Sequence, residues 1–315
     1  MKILLVRNDN LGDLICTTPA IEALRKKYPD AQIDIIVNTY NFLGIRNNPF
    51  VNKIYIYTKT KHIKGAFNKL KALIGKFKLM GDIFREKYDV CVVFRGTYSP
   101  YAEQFAKLSQ APMRIGVKNP KGEDSFTHHV ELNNNLHEVE FCFRCLEPLC
   151  VKFQGEKLFF YVEDEVINKF KPLGIQLLIH ISARKPENKF SFNKWKEIFN
   201  SLIKSGISVF FTASSEDYAL AKELNLTTGA KFIHTKSLIE LAGAIKNAKL
   251  FVTLEGGSMH LGAALGVKTM ALFGSSPISR WHPWGYKELV IQHPSKIAEN
   301  IDNNLIIEKI NNILS

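Results

Sequence analysis

The run Arg7-Asn8-Asp9-Asn10-Leu11-Gly12-Asp13 follows the apolar stretch Lys2 to Val6 and precedes a helical pattern. It therefore sits at the carboxyl end of a strand, where α/β proteins present side chains to ligands. Asp13 admits two uses there: a carboxylate that takes a proton from an attacking hydroxyl, or a cap on the new helix. Position alone leaves both open. With one glycine, the loop is not a dinucleotide fingerprint. A second run, Thr253-Leu254-Glu255-Gly256-Gly257-Ser258-Met259-His260, ends another strand and opens another helix. Its glycines let backbone amides approach a ligand, and a helix amino end favours a phosphate. Glu255 can accept from ribose hydroxyls and His260 can donate to a phosphate oxygen; the plainer alternative is a tight strand-to-helix turn. A third run, Ser182 to Phe190, offers Ser182, Arg184, Lys185 and Lys189, which suits a diphosphate or simply solvates a loop.

Metal chemistry lacks its usual signature. No Asp-x-Asp pair follows an apolar strand, and Glu163-Asp164-Glu165 reads as a solvated turn or a helix start. Cys142, Cys145 and Cys150 lack a fourth ligand nearby, and their helical spacing reads as core rather than zinc.

The elements that must position these runs repeat in two halves. Strand patterns at Lys2 to Val6, Ile33 to Val37, Ile54 to Tyr57 and Val90 to Phe94 alternate with helical ones, including a helix that ends before Pro29 and another over Tyr101 to Leu108. A strand at Arg114 to Val117 and a helix from Leu136 to Val151 complete the first half. The pattern restarts at Leu177 to Ile181 and continues through strands at Val209 to Thr212, Leu250 to Leu254 and Thr269 to Phe273, with helices between them and a last helix over the final twenty residues. Strand, helix, strand at this spacing gives parallel sheets with right-handed crossovers. The expected division is 1–160, 161–295 and a closing helix at 296–315.

Of 315 residues, 42 are Lys or Arg and 30 are Asp or Glu, a net charge of +12. Such a balance calls for an anionic partner. Seven of those charges, Lys59, Lys61, Lys64, Lys69, Lys71, Lys76 and Lys78, fall between Lys59 and Gly81 with no acidic residue among them. Ile63, Phe67, Leu70, Ile74 and Phe77 recur there at helical spacing, so the segment reads as a basic amphipathic helix. It either packs on its domain with a solvated lysine face or lies on an anionic lipid surface. The N-terminus lacks a signal peptide's apolar core, no window is long enough to span a membrane, and five scattered cysteines make no disulfide framework. The expectation is a cytoplasmic protein that meets a membrane only at its surface.

Taken together, these runs resemble glycosyltransferase family 9, the ADP-heptose:lipopolysaccharide heptosyltransferases. KILLVRNDNLGDLICTTPAIEALRKKYPDAQIDIIV carries the family's L-G-D loop and T-x-P-A helix, and FVTLEGGSMHLGAALGVKTMALFG carries its second signature. ISARKPENKFSFNKW looks like the phosphate loop between them. The resemblance implies an α/β chain of GT-B fold, two Rossmann-like domains with parallel sheets facing across a cleft, and a closing helix that packs back on the N-terminal domain. It implies donor binding on the second domain by Ser182, Lys185, Lys189, Glu216, Glu255, Gly256, Gly257 and His260. It implies acceptor binding on the first by Gly12, Lys64 and His137, with Asp13 as general base in an inverting transfer of heptose to the lipopolysaccharide inner core. No cofactor and no metal are expected; a nucleotide sugar, ADP-heptose, is the substrate. The expected partners are that donor, an anionic glycolipid acceptor and the inner face of the inner membrane, with no nucleic acid. Departures stand at Glu255, where the family usually has Asp, and at Asn188-Lys189-Phe190, where it usually has Lys-Arg-Trp. Two alternatives stay open: the same fold with another nucleotide sugar or a protein acceptor, and a nucleotide- or nucleic-acid-binding protein without transferase activity.

Overall fold

A computed structural model describes residues 1–59, 65–131 and 135–315. The chain divides into two compact units, Met1–Tyr161 and Val162–Ser315. The first contains β1 (Lys2–Val6), α1 (Leu11–Lys27), β2 (Gln32–Asn38), β3 (Lys53–Tyr57), α2 (Ala66–Glu86), β4 (Val90–Val93), α3 (Pro100–Leu108), β5 (Met113–Gly116), β6 (His128–His129) and α4 (Glu138–Leu146). Its six strands are all parallel, in the order β3-β2-β1-β4-β5-β6. In β1 and β4 nearly every residue is buried, as expected of central parallel strands covered on both faces.

Pro19 lies inside α1, where its missing N–H leaves the Ile15 carbonyl without the usual helical donor. The Thr18 hydroxyl donates to that carbonyl at 2.7 Å and accepts from the Phe159 amide at 2.9 Å. The Thr-Pro pair thus replaces one helical bond and ties α1 to the extended chain that leaves the unit.

The second unit contains α5 (Asp164–Phe170), β7 (Leu177–His180), α6 (Phe192–Lys204), β8 (Val209–Thr212), α7 (Tyr218–Thr227), β9 (Lys231–Phe232), α8 (Leu238–Lys246), β10 (Leu250–Leu254), α9 (Gly257–Ala264), β11 (Lys268–Phe273), α10 (Ile278–Trp281), β12 (Val290–Gln292) and α11 (Asn303–Leu314). Its sheet is again parallel, in the order β12-β11-β10-β7-β8-β9. Trp195, Phe199 and Phe211 pack in tilted contacts through its core at centroid distances of 5.7 and 5.0 Å. The closing helix α11, expected on the first half, places Ile306 and Ile310 in this second core. The Lys194 ammonium anchors it by donating to the Ile301 carbonyl and, at 2.7 Å, to Asn303 Oδ1.

Each sheet has one place where the strand order reverses: between β1 and β4 in the first unit, and between β7 and β10 in the second. Ligands of open α/β sheets bind outside the carboxyl ends of the strands at such a point. The helix that follows β1 carries Asp13 in its first turn, and the loops after β7 and β10 carry Ser182 and Glu255. Among the described residues no helix is long and apolar enough to cross a membrane.

Candidate active site

The first unit's reversal point is built around Arg7, the residue directly after β1. Its guanidinium is wholly buried, and Nη2 donates to Glu138 Oε1 at 2.6 Å and to Asp13 Oδ1 at 3.2 Å. Nη1 donates to the Phe94 carbonyl at the end of β4, and Nε lies 3.1 Å from Asp9 Oδ1. A cation in this position would be costly unless paired. Burial works against its charge, but Asp9, Glu138 and Asp13 outweigh that cost and hold the Arg7 pKa well above its ordinary value. Glu138 opens α4, which packs on α1, so the pair joins β1 to the far end of the unit's sequence.

The helix cap at this point is Asn10, not Asp13. Asp13 is the third residue of α1, and its carboxylate keeps partial access to solvent while Arg7 orients one oxygen. The capping alternative for Asp13 is thereby removed. Gly12 is buried in the first turn of the same helix.

Asp9 shares this cluster, and sequence reasoning passed over it. Burial pushes its pKa up to about 6; Arg7 and Arg95 oppose the shift, while Asp13 and Glu138 add to it. Arg95, just past β4, donates to Asn8 Oδ1 at 3.2 Å and stands 3.8 Å from Asp9 Oδ2. Asn8 in turn donates to the Tyr57 hydroxyl at 3.0 Å. A cleft of about 280 Å³ opens beside these groups, lined by Asn8, Tyr57, Lys59, Lys76, Arg95 and Tyr101 among others. Its three cations suit an anionic ligand.

Of the other acceptor residues expected, Lys64 lies outside the described residues. His137 is the cap of α4: its Nδ1 accepts from the Val139 amide at 3.1 Å, while Glu140 accepts from the His137 amide at 2.7 Å. That reciprocal cap gives the histidine a structural task next to Glu138.

In the second unit, Glu255 is buried, and its two oxygens accept from the Gly274 amide at 3.2 Å, the Ser276 amide at 3.1 Å and the Ser276 hydroxyl. The expectation was a carboxylate aimed at donor hydroxyls; the structure spends it on the loop after β11. That loop is also tied to the one after β7. Ser275 donates through its amide to Asn188 Oδ1 and through its hydroxyl to Glu187 Oε1, and it accepts from Lys185 Nζ, all at 3.1 to 3.2 Å. Gly274 is needed for this approach, since a Cβ there would meet Asn188 Oδ1 at 2.1 Å.

Gly256 and Gly257 differ: nothing in the protein lies within 4 Å of where their Cβ atoms would be. Gly256 caps α9 and Gly257 begins it, and the Ser258 hydroxyl lies 2.7 Å from Thr253 Oγ1. His260 follows in that helix, buried and edge-on to Trp281 at 6.1 Å. Ser182 accepts from the Ser214 amide at 2.8 Å, and Lys189 pairs with Asp217 at 3.3 Å. Glu216, beside Asp217, is exposed. Ser182, Lys185, Lys189, Glu216, Glu255 and Gly256 therefore lie in the connections after β7, β8 and β10, Gly257 to His260 form the first turn of α9, and Arg184 stands in the first of those connections. His180, at the end of β7, is held neutral, its pKa lowered to about 4 by burial. Among the described residues no group of three or more His, Cys, Asp or Glu could hold a metal ion.

Comparison with known proteins adds the chemistry. The model of glycosyltransferase family 9 (heptosyltransferase) matches residues 156–309. Lipopolysaccharide heptosyltransferase 3 of Escherichia coli is 26% identical over 299 residues, covering 87% of this chain and 82% of that protein. Among solved structures, a glycosyl transferase family 9 protein from Veillonella parvula superposes with a TM-score of 0.83 at 20% identity, over 99% of this chain and 97% of its own. An Escherichia coli heptosyltransferase solved with ADP-2-deoxy-2-fluoro heptose gives 0.77 at 15% identity, over 99% of both chains. The fold is GT-B.

Proposed function

We propose, on the premise that this chain is a glycosyltransferase of family 9, that it moves heptose from ADP-heptose to the inner core of lipopolysaccharide with inversion. The single observation that carries the reading is the Arg7 cluster, which presents Asp13 at the reversal point of the first sheet. In this reading Asp13 takes the proton from an acceptor hydroxyl as that oxygen bonds to the anomeric carbon of the donor. The bond from that carbon to the phosphate oxygen breaks in the same displacement, and ADP leaves with the electron pair. A base whose own carboxylate is fixed by a buried guanidinium loses little orientational freedom as it reacts.

The leaving diphosphate needs its growing charge stabilised. Amides at Gly256 and Gly257, the amino end of α9, and Lys185 and Lys189 are the groups that support this role. Glu255 acts indirectly here, as a positioning residue that fixes the 274–276 loop. The acceptor reading draws on the cationic cleft beside Asn8 and Arg95, which fits a phosphorylated glycolipid. The donor reading draws on the Escherichia coli heptosyltransferase solved with an ADP-heptose analogue.

A thermal-shift screen with ADP, UDP and GDP sugars tests the donor. A ligand present at 100 times its Kd stabilises by about 2.7 kcal/mol, so ADP-heptose should raise the melting midpoint by several degrees and the UDP and GDP sugars should not. A UDP or GDP preference overturns the ADP-heptose reading. Mass spectrometry of a core glycolipid incubated with the preferred donor then tests the acceptor, with failure to add one sugar counting against it.

A further inference from the structure

In α2 the apolar residues that ought to face the core face solvent instead. Phe67 is 79% exposed, Leu70 55%, Ile74 60% and Phe77 61%, while Leu79 and Ile83 further along the same helix are buried in the first unit's core. At 3.6 residues per turn, the four exposed positions fall within about 80° of arc. They form one stripe, roughly opposite the side that Leu79 and Ile83 bury. Exposed Lys71 and Lys78 lie together along one edge of it, next to Phe67, and no acidic residue occurs between Lys59 and Gly81. A helix that only solvated its lysines would turn these large side chains inward.

We infer that this stripe is a docking surface for an anionic phospholipid bilayer, with the rings of Phe67 and Phe77 entering the headgroup boundary and Lys71 and Lys78 meeting lipid phosphates. The charge pattern selects this occupant. A second copy seated symmetrically would bring Lys71 and Lys78 of both copies together, and the helix's own carboxylates, Asp82 and Glu86, are already paired with Arg85 and Lys2. An apolar face edged by lysines matches an anionic lipid interface, where apolar burial and phosphate attraction add. Lys76, on the side of the helix that faces α3, lines the cleft beside Asn8 and Arg95 instead of the stripe. The inference goes beyond the transfer reading, since such a bilayer would hold this face whichever sugar the enzyme moves.

The test is sedimentation with vesicles of phosphatidylcholine carrying about 30% phosphatidylglycerol, beside vesicles of phosphatidylcholine alone. The full chain is compared with two variants, Phe67→Ser/Ile74→Ser/Phe77→Ser and Lys71→Gln/Lys78→Gln. Since every substituted side chain is exposed, melting midpoints and the shift produced by ADP should match the parent's. The expected result is binding that needs the anionic lipid and falls roughly tenfold or more in each variant, with the parent weakened by high salt. Binding unchanged in both variants, or equal on neutral vesicles, overturns the inference. So does a concentration-dependent dimer, seen by analytical ultracentrifugation, that the phenylalanine substitutions dissolve, because the face would then belong to a second copy. A failed donor screen with intact vesicle binding would count against the transferase reading alone.

Discussion

Replacing Arg7 by Met removes the cation at the centre of the first unit's cluster. Glu138 is then left with a carboxylate that is 1% exposed and without the guanidinium now 2.6 Å away. Breaking a buried pair from one side typically costs about 3–5 kcal/mol, because the remaining charge stays buried without its counter-ion. That is a large share of the ~5–15 kcal/mol that holds an ordinary domain together. Asp9 and Asp13, at 14% and 16% exposure, reach water and should suffer less. Adding Glu138→Gln removes the buried negative charge, so the double variant should recover about 2 kcal/mol or more of the loss. The assay is urea unfolding of the parent, both single variants and the double variant. All three tryptophans, Trp195, Trp281 and Trp284, belong to the second unit, so their fluorescence reports that unit and far-ultraviolet circular dichroism must follow the first. Contacting residues that act as a pair should be non-additive. If the losses of Arg7→Met and Glu138→Gln simply add within about 0.5 kcal/mol, the cluster is not held together by this ion pair.

Three further outcomes follow from the same geometry. Asp9 has its pKa raised to about 6 in the fold from 3.8, chiefly by burial, so between those values the folded state binds more protons than the unfolded chain. Stability attributable to this group therefore falls as pH rises from about 4 to about 6, and Asp9→Asn should flatten that decline; an identical pH slope in urea midpoints for parent and variant would refute it. Gly274→Ala should cost about 1–3 kcal/mol of stability through overpacking against Asn188 and weaken ADP binding, whereas calorimetry showing unchanged affinity and midpoint would mean the two loops part freely. Gly257→Ala has open space around it, so it should leave the midpoint unchanged or slightly raised yet reduce donor affinity; unchanged affinity would remove these glycines from the donor site.

Continuous apolar runs made most of the fold legible, since KILLV, LLIHI and LFVTL are short runs bounded by turn signals, the length and setting of buried strands. The elements that escaped are short: β6 and β9 have two residues each and β12 three, too few for any periodicity. Glu163 to Glu165 was readable as a helix start, and α5 begins there with Glu163 as its cap. The placement of the final helix needed tertiary information, because Ile306 and Ile310 could serve either core equally well in sequence terms.

At the site, the loops were legible and their wiring was not. Asp13, Gly256 and Gly257 stood out by position after strands. Arg7 reads in sequence as an ordinary loop cation, although a charge directly abutting an apolar central strand is a signal that could have flagged it. Its partner Glu138 lies 131 residues away, and only the neighbouring of β1 with β4 and of α1 with α4 brings them together. Glu255 shows the same limit: its carboxylate type suggested sugar hydroxyls, but loop closure by Gly274 and Ser276 decides where it points.

The most direct test of the account is Asp13→Asn, which keeps the shape of the side chain and removes its basicity. Transfer of heptose from ADP-heptose to a core glycolipid should fall by about 10²–10⁴ in kcat, while the melting shift produced by ADP stays close to the parent's. Near-parental turnover by this variant would contradict the assignment of Asp13 as the general base.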